Sequence, residues 1–283
     1  MKQFEWARTS GDGVQLHVQS WQPEAAPRAA ITLVHGFGEH CGRYAHVAAA
    51  LTAAGYALVT GDYRGHGRSQ GPRGHTPSYE HLLDDLDGMV QASAQRFADL
   101  PQFLYGHSMG GNLTLNYVLR RRPRLAGVVA TSPWLRLAFA PPRWRVMLGR
   151  AVDRIYPALI QDTGLDTEGL SRDPRVGAAY IADPLVHSKM SARLFTSVNS
   201  AGAWALEHAA EFALPLLLMH GSDDTITSAA ASAEFAARLP GCSFKLWQGL
   251  RHEMHNEPEQ QAVLATIVEW LHAHMPVSAT PHL

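Results

Sequence analysis

The chain of 283 residues has little cysteine, almost no net charge and no long apolar run. Each lack removes a class of protein. Cys41 and Cys242 allow one disulfide at most and show no metal-ligand spacing, so a reducing compartment is the simpler reading. A formal net charge of -1 leaves no electrostatic footprint for nucleic acid. No apolar stretch reaches the roughly 18 residues that a spanning helix needs. The opening Met1-Lys2-Gln3-Phe4-Glu5-Trp6 lacks the apolar segment of a secretory signal, which points to the cytoplasm. Internal repeats and low-complexity tracts are absent, as are the phosphate-cradling patterns G-x-x-x-x-G-K-[ST] and G-x-G-x-x-G. Residues 276–283 read as a frayed tail.

What is present is a large apolar fraction, 46%, against 17% charged, in a chain long enough for one large α/β domain or two small ones. A hairpin is expected over 3–21, turning at Ser10-Gly11-Asp12-Gly13. Continuous apolar runs at 30–34, 56–60, 102–105, 126–131 and 215–220 fit strands buried on both faces, and 243–247 adds a last strand. Helices are expected over 44–54, 78–98, from Ser108 to Arg122, over 228–238 and from Pro258 to His274. In the 78–98 helix, Asp84, Asp85 and Asp87 fall off the apolar face. Neighbouring helical positions point in different directions, so they read as a solvated face rather than a metal cluster. Alternating strands and helices make a mostly parallel sheet with helices on both faces, and ligands sit beyond its carboxyl edge.

The alternation breaks between Ser132 and Phe212. That stretch holds helical patterns and no buried strand, so residues 133–212 read as a helical cap on a core formed by 1–132 and 213–283. Within it, Trp144, Met147, Leu148, Ala151, Val152 and Ile155 repeat at helical spacing, opposite Arg143, Arg145, Arg150 and Arg154. The apolar stripe is expected to face inward, over the carboxyl edge of the sheet. The arginine face has two readings, contact with an anionic membrane surface or plain solvation, of which solvation is the simpler.

Gly106-His107-Ser108-Met109-Gly110 fits G-x-S-x-G, a strand ending in a tight turn that runs into a helix. Such a turn exposes the Ser108 hydroxyl at the sheet edge. A serine hardly ionises near neutral pH, so it needs a base within hydrogen-bond reach and a third group to orient that base. The chain order Ser, Asp, His and the positions of Asp223 or Asp224 after one strand and His252 after the next supply both. His255 is a rival to His252 but lies farther from its strand, and His220 reads as a satisfied core histidine. Two backbone N–H groups, of Met109 at the helix start and Phe37 in His35-Gly36-Phe37-Gly38, suit an oxyanion. No metal or other cofactor is required.

His35-Gly36-Phe37-Gly38-Glu39-His40 with Gly42-Arg43-Tyr44, Asp62-Tyr63-Arg64-Gly65-His66-Gly67-Arg68-Ser69, Gly106 to Gly111, Gly221-Ser222-Asp223-Asp224 and His252 to Glu257 together resemble the monoacylglycerol lipase and lysophospholipase group of α/β-hydrolases. The resemblance spans nearly the whole chain. It implies the α/β-hydrolase fold, Ser108, Asp224 and His252 as a triad, and Phe37 and Met109 as oxyanion donors. It further implies that Glu39, Arg43, His107 and Tyr180 hold substrate hydroxyls, although Glu39 and Arg43 read equally as a structural ion pair. Thr227 stands where the family carries a site cysteine. The implied substrate is a monoacylglycerol. Lysophospholipids and short- or medium-chain monoesters are alternatives, as are a peptidase of the prolyl-aminopeptidase type and a non-catalytic binding protein. Ser108 at the turn argues against the aspartate-nucleophile enzymes of the same fold.

Overall fold

The computed structural model describes residues 1–140 and 142–276; the expected frayed tail beyond Pro276 and the side chains of Arg143 and Arg145 lie outside the described residues. The apolar runs become one eight-stranded sheet. Its strands are β1 (Lys2–Thr9), β2 (Gln15–Gln22), β3 (Ala29–Val34), β4 (Tyr56–Gly61), β5 (Gln102–His107), β6 (Gly127–Thr131), β9 (Leu216–Gly221) and β10 (Ser243–Trp247). β7 (Ile160–Asp162) and β8 (Lys189–Ser191) form a separate antiparallel ribbon. The large sheet runs in the order β1-β2-β4-β3-β5-β6-β9-β10. β2 is antiparallel to both neighbours, and every pair from β4 to β10 is parallel.

The helices are α1 (Ala45–Ala53), α2 (Tyr79–Arg96), α3 (Met109–Arg121), α4 (Arg143–Ile155), α5 (Pro174–Ala182), α6 (Ala192–Glu207), α7 (Ala229–Ala237) and α8 (Gln260–Ala273). Alternate side chains of a strand face opposite sides. Accordingly Leu104 packs with Leu82, Leu86, Leu113 and Phe235 from α2, α3 and α7, while Phe103 and Tyr105 pack with Val47, Leu51, Val263 and Ile267 from α1 and α8. Helix starts are where short polar side chains can accept backbone N–H groups. Ser78 accepts from His81, Ser191 from Leu194 and Ser228 from Ala231. α3 stops as expected, with Arg122 left-handed at its end and Pro123 following.

Three expectations change. Asp85 is not on a solvated face: it is buried and takes a two-pronged hydrogen bond from Arg64, at 2.6 and 2.9 Å. Its neighbours keep to the surface reading, Asp84 pairing with the exposed Arg121 and Asp87 accepting from Tyr117 Oη and Gln91. The segment 133–212 does contain strand, the β7–β8 ribbon with Met190 and Ser191 buried, too short for alternation to be read. The stripe on α4 does not turn inward: Met147, Leu148 and Ile155 are 70%, 55% and 86% exposed, and Phe139, Tyr156 and Ile181 are exposed as well. α6, by contrast, is rooted in the main core. Its Leu194, Val198, Ala205 and Leu206 are buried there, and Asn112 and Asn116 of α3 donate to the Val198 and Ala201 carbonyls. Among the described residues no helix is long and apolar enough to cross a membrane.

Candidate active site

Between β5 and α3 the chain reverses at Ser108, whose φ of 55° and ψ of -117° lie in a region costly for a side-chain-bearing residue. The turn is tight because two glycines let backbones touch. A β-carbon on Gly106 would meet the Gly110 carbonyl oxygen at 2.4 Å, and one on Gly110 would meet the Val34 carbonyl oxygen at 2.1 Å. The Ser108 N–H donates to the Thr131 carbonyl, and its carbonyl accepts from Asn112 and Trp134, so the strained residue is held on both sides.

Two neighbouring strands deliver the partners. Asp224 follows β9 and His252 follows β10. His252 Nε2 lies 2.9 Å from Ser108 Oγ, and its Nδ1 lies 2.7 Å from Asp224 Oδ2. All three are buried. The choices left open by spacing are resolved by placement. Asp223 is exposed and bonds to Ser222, and His255 stacks on Tyr44 instead of facing the serine. Burial works against charge on Asp224, but His252, His220 and the hydrogen bonds they make outweigh it and hold the carboxyl far below the usual carboxylate range. Burial alone would also depress His252. The Asp224 charge and hydrogen bond reverse this and raise it above the ordinary 6.5 of imidazole.

The loop after β3 passes directly over the turn, with the position of a Gly36 β-carbon 3.2 Å from Ser108 Cβ. Among the described residues the Phe37 N–H has no hydrogen-bond acceptor. Met109 opens α3, so its N–H belongs to the unpaired first turn of a helix. Phe37 thus follows a residue in contact with Ser108, and Met109 follows Ser108 itself.

The four expected substrate contacts divide. Glu39 and Arg43 form the structural ion pair. Glu39 accepts from Gly36 N–H, Tyr44 Oη and Arg43, and Arg43 reaches on to both oxygens of Glu253 at 2.7 and 2.8 Å. Burial opposes the Arg43 charge, yet the two glutamates more than offset it. Tyr180, from α5, lies under the Arg43 guanidinium at 4.9 Å, and its buried hydroxyl lacks a partner among the described residues. His107 sits 4.9 Å from the His252 ring and 3.1 Å from Thr131 Oγ1. Burial, then His255 and His252, push it well below the ordinary imidazole value, which keeps it neutral.

Several partners escaped the sequence. His220 is a satisfied core histidine, with Nδ1 2.8 Å from Ser232 Oγ, but its Nε2 also lies 3.0 Å from Asp224 Oδ2. Asp224 Oδ1 accepts from the Ile226 and Thr227 N–H groups, and Thr227 Oγ1 stands 2.9 Å from Oδ2. Segment 133–212 supports the site through its backbone: Glu253 N–H donates to the Leu170 carbonyl and His187 N–H to the Gly38 carbonyl. Asp183 pairs with His40 at 2.8 Å. His220, Ile226 and Thr227 lie within four residues of Asp224, whereas Leu170, Asp183 and His187 come from distant chain.

Comparison with known proteins agrees with this geometry. The hydrolase family described as Serine aminopeptidase, S33, matches residues 25–259. A monoacylglycerol lipase of Mycolicibacterium smegmatis is 34% identical over 93% of this chain and 95% of its own length. An uncharacterized abhydrolase domain-containing protein of Dictyostelium discoideum is 35% identical over 93% of this chain, which spans only 28% of that protein. The crystal structure of the Paleococcus ferrophilus monoacylglycerol lipase superposes with a TM-score of 0.84 at 34% identity, covering 92% of this chain and 99% of that one. The chain therefore belongs to the Serine aminopeptidase S33 family of hydrolases and, within it, to the monoacylglycerol lipase group of α/β-hydrolases, which makes it a carboxylic ester hydrolase.

Proposed function

We propose that the protein hydrolyses monoacylglycerols to fatty acid and glycerol through an acyl-enzyme on Ser108. The observation that carries the mechanism is the unbroken line from Ser108 Oγ through His252 to Asp224 at a strained turn. Ser108 Oγ attacks the ester carbonyl while His252 Nε2 takes its proton. The developing oxyanion is met by the N–H groups of Phe37 and Met109, each such donor contributing roughly 2.7–4 kcal/mol to the barrier reduction in a studied protease. The carbon–oxygen bond to glycerol then breaks, and the imidazolium returns its proton to the leaving alkoxide. Water, deprotonated by the same nitrogen, releases the fatty acid and restores Ser108. Asp224 fixes the tautomer and balances the imidazolium charge. The substrate reading rests on the named relatives and on the Tyr180 hydroxyl and His107 lying near the site as polar groups able to face glycerol.

Residues 133–212 act in this reading as a cap on a core of 1–132 and 213–283, with α6 as its root on α3. The outward stripe of Met147, Leu148 and Ile155 supports transient contact of the cap with a lipid surface, where it would be covered. Rates on purified protein test the substrate: monoacylglycerols of several chain lengths against di- and triacylglycerols, lysophospholipids and short aryl esters. Monoacylglycerols are expected to be fastest. Faster turnover of diacylglycerols or lysophospholipids overturns the substrate assignment, and full activity in Ser108→Ala overturns the mechanism.

A further inference from the structure

Away from the triad, three elements converge on a set of donors that the reaction does not use. His17 lies in β2 and is half-buried. Cys41 starts the short turn Cys41–Tyr44 after the β3 loop, and Asp62 follows β4. Cys41 and Asp62 are fully buried, and one ligand atom from each of the three residues lies within 4.8 Å of the others. The backbone locks the arrangement, since Asp62 N–H donates to the His17 carbonyl at 2.9 Å. The Asp62 carboxylate is itself oriented, Oδ1 accepting from Cys41 N–H and Oδ2 from Arg68 N–H, each at 2.8 Å. The His17 ring, in contrast, makes no hydrogen bond or ion pair among the described residues.

We propose that His17, Cys41 and Asp62 form a three-ligand site for a divalent transition-metal ion, Zn2+ foremost. A thiolate, an imidazole and a carboxylate are the donors zinc prefers, whereas calcium and magnesium take oxygen alone. Zinc bonds of about 2.0–2.3 Å need donor atoms about 3.5 Å apart, so side-chain rotations of about 1 Å close the present spacing. Charge fits as well. A thiol must lose its proton to ligate the ion. On binding, the ion replaces that proton, the Zn–S bond forms, one proton leaves to solvent, and the dication is neutralised by thiolate and carboxylate. The fourth position falls to water through the half-exposed His17 side. The hydrogen bonds from Cys41 and Arg68 N–H act as the outer shell that orients Asp62. Spacing carries no sign of this, because the ligands are separated by 24 and 21 positions and meet only where β2 and β3 flank β4.

The ion would tie β2, the β3 loop and the β4 loop together, so loading is read as stabilisation of the folded chain. The test uses the full chain, stripped with chelator and then titrated with Zn2+ by calorimetry and with Co2+ by absorption. One equivalent, a thiolate-to-cobalt charge-transfer band, release of about one proton and a raised thermal midpoint are expected. Cys41→Ser should abolish the band and weaken Zn2+ at least about tenfold, with His17→Gln weakening it similarly. Circular dichroism of the metal-free variants checks that they fold, and His17→Gln, at a half-exposed position, serves if Cys41→Ser does not. Absence of saturable Zn2+ binding overturns the site. So does binding that survives undiminished in both variants, which would assign it to other histidines of the chain.

Discussion

Asp224 is the most crowded residue of the site, and its crowding sets the pH behaviour. Three donors and two histidines converge on one carboxylate, and His252 gains from its charge. Because the His252 pKa is raised, the base is lost to protonation as pH falls through a value above 6.5. The acid limb of kcat/KM should therefore lie above 6.5, and Asp224→Asn should abolish most activity rather than merely shift the limb; a limb below 6.5 in a rate–pH profile contradicts this. His220 acts through Asp224 as a positioning residue. Removing its N–H in His220→Phe leaves the carboxylate more basic and the imidazolium better stabilised. We expect kcat to fall about tenfold, or about 1.4 kcal/mol of barrier, with KM little changed and the acid limb moved upward. A structural role alone would leave the limb where it is. At this scale the sequence was informative about which residue types meet, since chain order and strand ends singled out Ser108 and His252. It was silent on Thr227 and His220 as partners of the carboxylate, because their contacts depend on how the loop after β9 curls back.

The elements around the site are loops held by buried charge. Arg43 joins Glu39 in the loop after β3 to Glu253 beside His252, and Tyr180 covers the guanidinium. Arg43→Met leaves two buried carboxylates uncompensated, and removing one partner of a buried pair costs roughly 3–5 kcal/mol. Chemical denaturation should register that loss together with reduced activity on every ester, since the Phe37 donor and the His252 loop both lose a tether. Arg64 does the same for the hairpin. It links Asp85 of α2 to Asp12 of the β1–β2 turn, and Arg64→Ala should destabilise by a similar roughly 3–5 kcal/mol with KM unaltered. Asp85 shows why the solvated-face reading failed. Its helix is amphipathic by sequence, but a basic loop from β4 folds over one polar position and buries it. The Arg43 network had the opposite history: a pair at i and i+4 was visible in the sequence, while its third member, 210 residues away, was not.

At the scale of the whole molecule the sheet and the segment 133–212 behave differently. The outward apolar stripe of α4 predicts binding to anionic phospholipid vesicles. Leu148→Ser with Ile155→Ser should weaken vesicle affinity about a hundredfold or more, since each buried aliphatic side chain contributes roughly 1.5–3 kcal/mol, while hydrolysis of a water-soluble ester stays unchanged. Equal binding by the variant in a sedimentation assay refutes the contact. The sequence by itself determined the sheet, because a strand buried on both faces must be apolar throughout, and β3, β4, β5, β6 and β9 announce themselves that way. It determined the turn at Ser108 too, because only glycines permit the approach seen at Gly106 and Gly110. Tertiary structure alone decided which way α4 faces, since a 3.6-residue period gives a stripe and not the direction in which it looks. It alone decided that Asp85 is buried, that Arg43 spans two loops, and that His17, Cys41 and Asp62 meet. Local patterning encodes what an element needs from its surroundings; which distant segment supplies it is fixed only when the β-strand order and the connecting loops bring the chain together.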